Sequence, residues 1–223
     1  VEPLRLADLE DADPDLRSVR EHRSVTEYYF TCTPALVRHV LQRDPGADSI
    51  TYLDADLFFF SDPEPLFEEL GPGSIGIIAH RFPPRLRELE RHGVFNVGWV
   101  TFRRDDRGDA CLRSWREQCL EWCHDRLEPD RYAEQKYLDA WPTRFDGVVV
   151  LNHPGANLAP WNIDTHRVTF DGSAVCVDER PLIFYHAHGL RHGVGADWEP
   201  GLDAYGVPLS DVLATHVYEP YLR

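Results

Sequence analysis

Residues 50–60 read Ile50-Thr51-Tyr52-Leu53-Asp54-Ala55-Asp56-Leu57-Phe58-Phe59-Phe60, an apolar run broken by two carboxylates. Such a run is a buried strand, and an ionised Asp beside a core must be paired or metal-bound. Side chains on an extended backbone repeat every second residue, so Asp54 and Asp56 are expected to point the same way. Two like charges that close are best tolerated with a cation between them. The pattern predicts a strand leaving the core of an α/β sheet and ending at a divalent-metal site. A lone strand-end Asp more often caps a turn; the Asp-x-Asp pair, flanked on both sides by apolar residues, favours metal.

The rest of the chain fits an α/β domain. A helix is expected from Thr33-Pro34 to Arg43, ended by Asp44-Pro45-Gly46 before the strand. Short helices are expected at Ser61–Leu70, Pro84–Arg91 and Arg131–Ala140, and a long one from Asp109 to Arg126. Strands are expected at Ile75–Ala79, Val94–Phe102, Val148–Leu151 and Leu182–His186, with a hairpin at 168–177 and a terminal helix at Ser210–His216. Helices alternate with strands early and hairpins come late, which predicts a mixed sheet flanked by helices. At 223 residues one domain spanning 1–223 is expected. Residues 1–25, acidic and proline-punctuated, read as a surface connection.

A net charge of −15 argues against binding a nucleic-acid backbone. A phosphate ligand stays possible where a metal supplies positive charge. No apolar run approaches the roughly 20 residues that span a bilayer, so no transmembrane segment is expected, and peripheral membrane association stays open. Five cysteines form no disulfide framework, which points to a reducing, cytoplasmic setting. Cys119-x-x-x-Cys123-His124 could be half of a zinc site, but no matching half follows; with Cys111, Leu112 and Trp115 at helical spacing, core packing is the better reading.

Other residues could carry chemistry. His186 and His188 close an apolar strand and would complete an O,O,N set suited to Mn²⁺ or Mg²⁺. Arg191, beyond Gly189, could reach phosphates. Asn96 and Gly98 interrupt a strand that otherwise wants bulk; either a ligand approaches the backbone there or the strand bulges. Glu134 and Gln135 lie on a short segment whose default role is a solvated face. Trp161 and Asn162 offer the aromatic and amide chemistry of sugar sites and, equally, of ordinary loops.

Tyr52-Leu53-Asp54-Ala55-Asp56, Phe95-Asn96-Val97-Gly98, Glu134-Gln135 and His186-x-x-Gly189, in that order, resemble the GT-A glycosyltransferases, and most of all the retaining family-8-type enzymes. The resemblance spans residues 50–189. It implies a nucleotide-diphosphate-sugar donor, a UDP-sugar first among them, a Mn²⁺ or Mg²⁺ ion, and a glycan, lipid or protein acceptor. By the same resemblance Asp54 would lie near ribose and metal, Asp56 and His186 would ligate the ion with His188 as alternative, and Asn96 would face the sugar. Gln135 would stand beside the anomeric carbon, with Glu134 replacing the family's Asp, and front-face substitution with retention would follow. The chain departs from the family in three places: no apolar strand precedes Tyr28, the Arg near the first helix is missing, and Leu190-Arg191-His192 replaces Lys-Pro-Trp. The first nucleotide-binding strand is therefore expected to be absent from residues 1–223. The rival readings are a haloacid-dehalogenase-like phosphatase, which Phe58 fits poorly, and a non-catalytic sugar-binding or scaffold domain of the same fold.

Overall fold

A computed structural model describes residues 2–193 and 198–223. In chain order the elements are α1 (Leu6–Ala12), α2 (Pro14–Val19), α3 (Val25–Arg43), β1 (Ser49–Leu53), β2 (Leu57–Phe59), α4 (Glu64–Leu70), β3 (Ile75–Ala79), β4 (Phe95–Arg103) and α5 (Asp106–Glu121). There follow α6 (Trp141–Arg144), β5 (Val148–Leu151), β6 (Val168–Phe170), β7 (Val175–Val177), β8 (Arg180–Pro181), β9 (Phe184–His186), β10 (Arg191–His192), β11 (Trp198–Glu199), α7 (Asp211–Leu213) and α8 (Glu219–Leu222). The fold is α/β, with a mixed sheet flanked by helices. Among the described residues no helix is long and apolar enough to cross a membrane. The chain divides into two compact units: unit 1 holds residues 1–52, 72–77 and 91–150, and unit 2 holds 53–71, 78–90 and 151–223.

Unit 1 is built on the sheet ordered β1-β4-β3-β5. β4, Phe-Asn-Val-Gly-Trp-Val-Thr-Phe-Arg, is buried at eight successive positions, as a central strand covered on both faces must be. β1, at the edge, is nowhere fully buried. Phe102, Trp115 and Trp141 pack ring against ring with centroids 5.4–6.1 Å apart. Cys111, Cys119 and Cys123 are completely buried, the packing role expected of them. Helix α5 starts three residues before the expected Asp109, because Asp105 caps it by accepting from the Arg107 and Gly108 N–H groups. The segment expected to be helical from Arg131 is a turn, followed by a 3₁₀ helix at Lys136–Ala140.

Two expectations about the N-terminal part are corrected. Helix α3 begins at Val25 rather than at Thr33, because Ser24-Val25-Thr26-Glu27 is a capping box: the Glu27 N–H donates to Ser24 Oγ and the Ser24 N–H to Glu27 Oε2. Pro34 lies buried inside the helix. Residues 6–22 are largely helical rather than a surface connection, with Leu9 and Leu16 packed against Tyr28, Cys32 and Ala35. Buried Glu10 accepts from Tyr28 Oη and Arg20 Nη1, each at 2.9 Å.

Glu27 makes acid sensitivity of this cap an expected outcome. Burial pushes its carboxyl up, but the Ser24 and Asp125 N–H groups and His124 outweigh that and bring it down to about 2. A depressed folded pKa gives stability that is complete above the ordinary 4.5 and fades as pH falls toward 2. Glu27→Gln should therefore cost about 1–2 kcal/mol at neutral pH. Urea unfolding should show that gap narrowing as pH falls below the ordinary carboxylate range; a gap independent of pH would contradict this account.

In unit 2, β2 pairs antiparallel with β9, matching Leu57 to His186, Phe58 to Tyr185 and Phe59 to Phe184. The hairpin β6–β7 forms as expected and is extended by β8. Leu158, Val177, Leu182, Tyr185 and Val217 centre a second hydrophobic core. The C-terminal segment is helical from Asp211 to Leu222, with a π-helical stretch at Ala214–Tyr218.

Candidate metal centre

The expected strand over residues 50–60 is in fact two strands, β1 and β2, with a turn at residues 54–56. Asp54 and Asp56 therefore converge through a turn, not through the two-residue repeat of one extended strand. The hydrogen bond from the Ala187 N–H to the Asp56 carbonyl, 2.9 Å, extends the β2–β9 ladder by one step. That register places the His186 ring beside the turn: its Nε2 lies 3.1 Å from Asp56 Oδ1 and 3.8 Å from Asp54 Oδ2.

Asp56, His186 and His188 each offer an atom within 4.8 Å of the other two. Ligand atoms around a six-coordinate ion with bonds of about 2.1 Å stand roughly 3–4.2 Å apart, so small side-chain rotations close this set on one cation. Two imidazoles and a carboxylate suit Mn²⁺, and Asp54 adds a second oxygen donor nearby. The carboxylates remain about one third exposed while His186 is 3% exposed, so the cluster opens to solvent on its acidic side. Burial pushes the Asp56 carboxyl up, but the His186 hydrogen bond and charge outweigh it, holding Asp56 below the ordinary carboxylate range. Desolvation and the neighbouring His186 hold His188 below the ordinary imidazole range, opposed by Asp56 and Asp54. The His186 Nδ1 atom is buried with no hydrogen-bond partner among the described residues. Nε2 is therefore the ring nitrogen directed at Asp56 and at the rest of the cluster.

Trp161 is the floor of this cluster. Its ring meets those of His186 at 5.0 Å, His80 at 5.3 Å, His188 at 5.4 Å and Tyr205 at 6.2 Å, all edge to face. Its Nε1 donates to the His80 carbonyl at 2.9 Å. Asn162, completely buried, donates through Nδ2 to the His80 and Asn157 carbonyls and accepts from the Ala159 N–H. Its amide is used up inside the protein, so the expectation that Asn162 contacts a donor gives way to a scaffolding role. Trp161, 3% exposed, likewise supports the histidines.

Gly155 shows how tightly the neighbouring segment is held. Its carbonyl accepts from the Ile183 and Phe184 N–H groups, and a Cβ on it would stand 2.0 Å from the Pro181 carbonyl oxygen. Arg81, at φ 58°, crosses the same segment and donates to the His153 and Ala156 carbonyls. Burial lowers its guanidinium to about 10, against the pull of Asp178 and Glu69. Sequence reading missed His80, Arg81 and Tyr205 as parts of this framework. His80-Arg81 at the end of β3 was the available signal, and the long-range contacts that give it meaning leave no local pattern.

The remaining candidates are placed as follows. Gly189, at φ +77°, reverses the chain after His188 and packs against Gly201. Arg191 lies on exposed β10, paired with Glu199. Within unit 1, buried Asn96 accepts from the Gly98 N–H at 3.0 Å, a local side-chain bond inside β4. The Glu134 carbonyl accepts from Trp115 Nε1, and Gln135 Nε2 donates to the His92 carbonyl at 3.2 Å.

No protein-family model matches the chain. It is 37% identical over 181 residues to the uncharacterized protein YfnD of Bacillus subtilis (strain 168), covering 80% of this chain and 58% of YfnD. It is 36% identical over 185 residues to the uncharacterized protein YfnF of the same strain, covering 79% of this chain and 61% of YfnF. The chain thus spans about three fifths of the length of these curated relatives. Among solved structures it is similar to a glycosyltransferase involved in the glycosylation of the major capsid of PBCV-1, at 12% identity and TM-score 0.47, covering 85% of this chain and 75% of that one. It is also similar to mouse xyloside xylosyltransferase 1 in its apo form, at 17% identity and TM-score 0.46, covering 82% and 73%.

Proposed function

We propose that the chain belongs to a GT-A-type glycosyltransferase that moves a sugar from a nucleotide-diphosphate donor, a UDP-sugar foremost, to a hydroxyl of a glycan, lipid or protein. The observation that carries this reading is the convergence of Asp54, Asp56, His186 and His188 at the β2–β9 end. Asp56, His186 and His188 would hold Mn²⁺ or Mg²⁺, with Asp54 alongside; such an ion supplies positive charge to a departing diphosphate. Trp161 keeps both imidazoles in place, and the open, acidic side of the cluster leaves room for the donor. In unit 1, Asn96 and Gln135, with Glu134 beside it, are the polar groups assigned to the sugar. Gly98, Gly189 and Arg191 are assigned to the donor's backbone and phosphate contacts. Gln135 is a poor nucleophile, so the reading includes retention by front-face substitution, the acceptor proton leaving with the diphosphate.

Thermal unfolding of the chain with Mn²⁺ tests the proposal. Saturating metal should raise the midpoint by about 5–10 °C, as binding at 100 times Kd contributes about 2.7 kcal/mol. A UDP- or GDP-sugar should add to that shift only when metal is present. No shift with metal, or phosphate release from simple phosphomonoesters, would overturn the reading.

A further inference from the structure

We propose that unit 1 carries a saccharide-binding cleft organised by Lys136. The cleft, about 550 Å³, is lined by Gln118, Glu121, Asp130, Arg131, Lys136 and Tyr137 among others. A second recess of about 300 Å³, lined by Arg91, Leu127, Glu128 and Pro129, has Lys136 in its wall as well. Both volumes fall in or near the range of small-ligand sites.

Lys136 is the only lysine in a chain that otherwise uses arginine for positive charge. Its side chain is 13% exposed, yet the nearest carboxylate oxygen, Asp139 Oδ2, lies 3.6 Å away, beyond hydrogen-bond length. Asp139 is held elsewhere, its Oδ1 accepting from the Val94 N–H at 2.8 Å. An ammonium with three donors, largely withdrawn from water and loosely paired, is placed to meet an acceptor entering the cleft.

The walls decide the class of ligand. Glu121, Asp130 and Asp139 line the cleft together with Lys136 and Arg131, and Arg131 is already bound to Glu128 at 2.7 Å. A phosphate or carboxylate would gain one cation and meet three carboxylates. Sugar hydroxyls both donate and accept, so they can bind the carboxylates and the ammonium together. The Gln118 amide offers one further donor and acceptor.

The single lysine makes a clean test. Reductive ¹³C-methylation keeps its charge and labels only Lys136 and the terminal amine, which serves as internal reference. The labelled protein, in EDTA, is titrated with maltotriose, xylotriose, chitotriose and, separately, inorganic phosphate. EDTA makes the result independent of whether the metal reading holds. A saturable shift of the Lys136 methyl signal with at least one oligosaccharide, and none with phosphate, is expected. Calorimetry should show Lys136→Gln weakening that oligosaccharide about tenfold, with Lys136→Arg recovering part of the loss. Asp130→Asn, on the exposed rim, should weaken binding without touching the fold. A shift with phosphate alone, or none with any oligosaccharide up to about 20 mM, would overturn the proposal, since that range reveals even millimolar affinity.

Discussion

Asp56→Ala should eliminate stabilisation by Mn²⁺ while leaving the metal-free protein close to its original stability. Asp56 is the one carboxylate within the three-residue cluster, 3.1 Å from His186 Nε2. Removing it leaves two imidazoles and the more distant Asp54, a poor set for a hard cation that prefers oxygen. Mutating residues that merely support a metal ligand commonly weakens affinity 10–100-fold, so losing a ligand should weaken Mn²⁺ at least about 100-fold. That is enough to cancel the expected midpoint shift at the same metal concentration. The metal-free cost is small because the Asp56 side chain is 39% exposed. His188→Ala should weaken binding less, as its position on the exposed side lets water replace it. Unfolding of each variant with and without Mn²⁺ separates the two effects. An unchanged Mn²⁺ response in Asp56→Ala would remove Asp56 from the ligand set.

Arg116→Ala should lower stability by about 3–4 kcal/mol, a midpoint drop of roughly 8–12 °C for a chain of this size. The guanidinium pairs with Asp13 through two bonds, Nε to Oδ2 at 2.6 Å and Nη2 to Oδ1, and both side chains are nearly enclosed at 12% and 11% exposure. Burial would raise the Asp13 carboxyl, yet the Arg116 hydrogen bond and charge outweigh it and hold Asp13 below the ordinary range. Truncating the arginine strands a buried carboxylate, so most of the loss is the penalty of that unpaired charge. Since the folded pKa is depressed, the pair's contribution is present at neutral pH and fades as acid protonates Asp13. The double variant Asp13→Asn/Arg116→Ala should be more stable than Arg116→Ala alone, a coupling that a simple loss of packing would not produce. Limited proteolysis should cut Arg116→Ala first within residues 1–23, because the pair joins α5 to the start of α2. Equal resistance in variant and parent would show that the N-terminal helices do not depend on this pair.

These two experiments probe different degrees of legibility. The charges of residues 54–56 stood out against an apolar run, and His186 and His188 against another, because burial makes an ionisable group conspicuous. Helix α5, β4 and the β6–β7 hairpin carry strong local periodicity and turn chemistry, and they lie close to where the pattern puts them. The N-terminal helices were misread because their apolar residues are sparse: Leu9 and Leu16 gain meaning only from Tyr28 and Cys32, which they meet in space. The start of α3 was hidden by Pro34, a stronger local signal than the capping box ten residues earlier. Trp161 and Asn162 have the chemistry of a sugar site, and nothing local distinguishes a side chain that binds a ligand from one that binds a backbone carbonyl.

Residue chemistry alone thus established that two carboxylates interrupt one apolar run and two histidines close another, far apart along the chain of an α/β fold. What it could not establish is the register that joins them. The Asp-x-Asp segment is a turn, and the antiparallel pairing of β2 with β9, set by the bond from the Ala187 N–H to the Asp56 carbonyl, brings the histidines to it. Pairing across 130 residues depends on how two strands and their shared core fit, and a one-residue slip would turn His186 to the other face. The acids and imidazoles are local facts of the chain, while their 3.1 Å meeting is a property of the folded sheet.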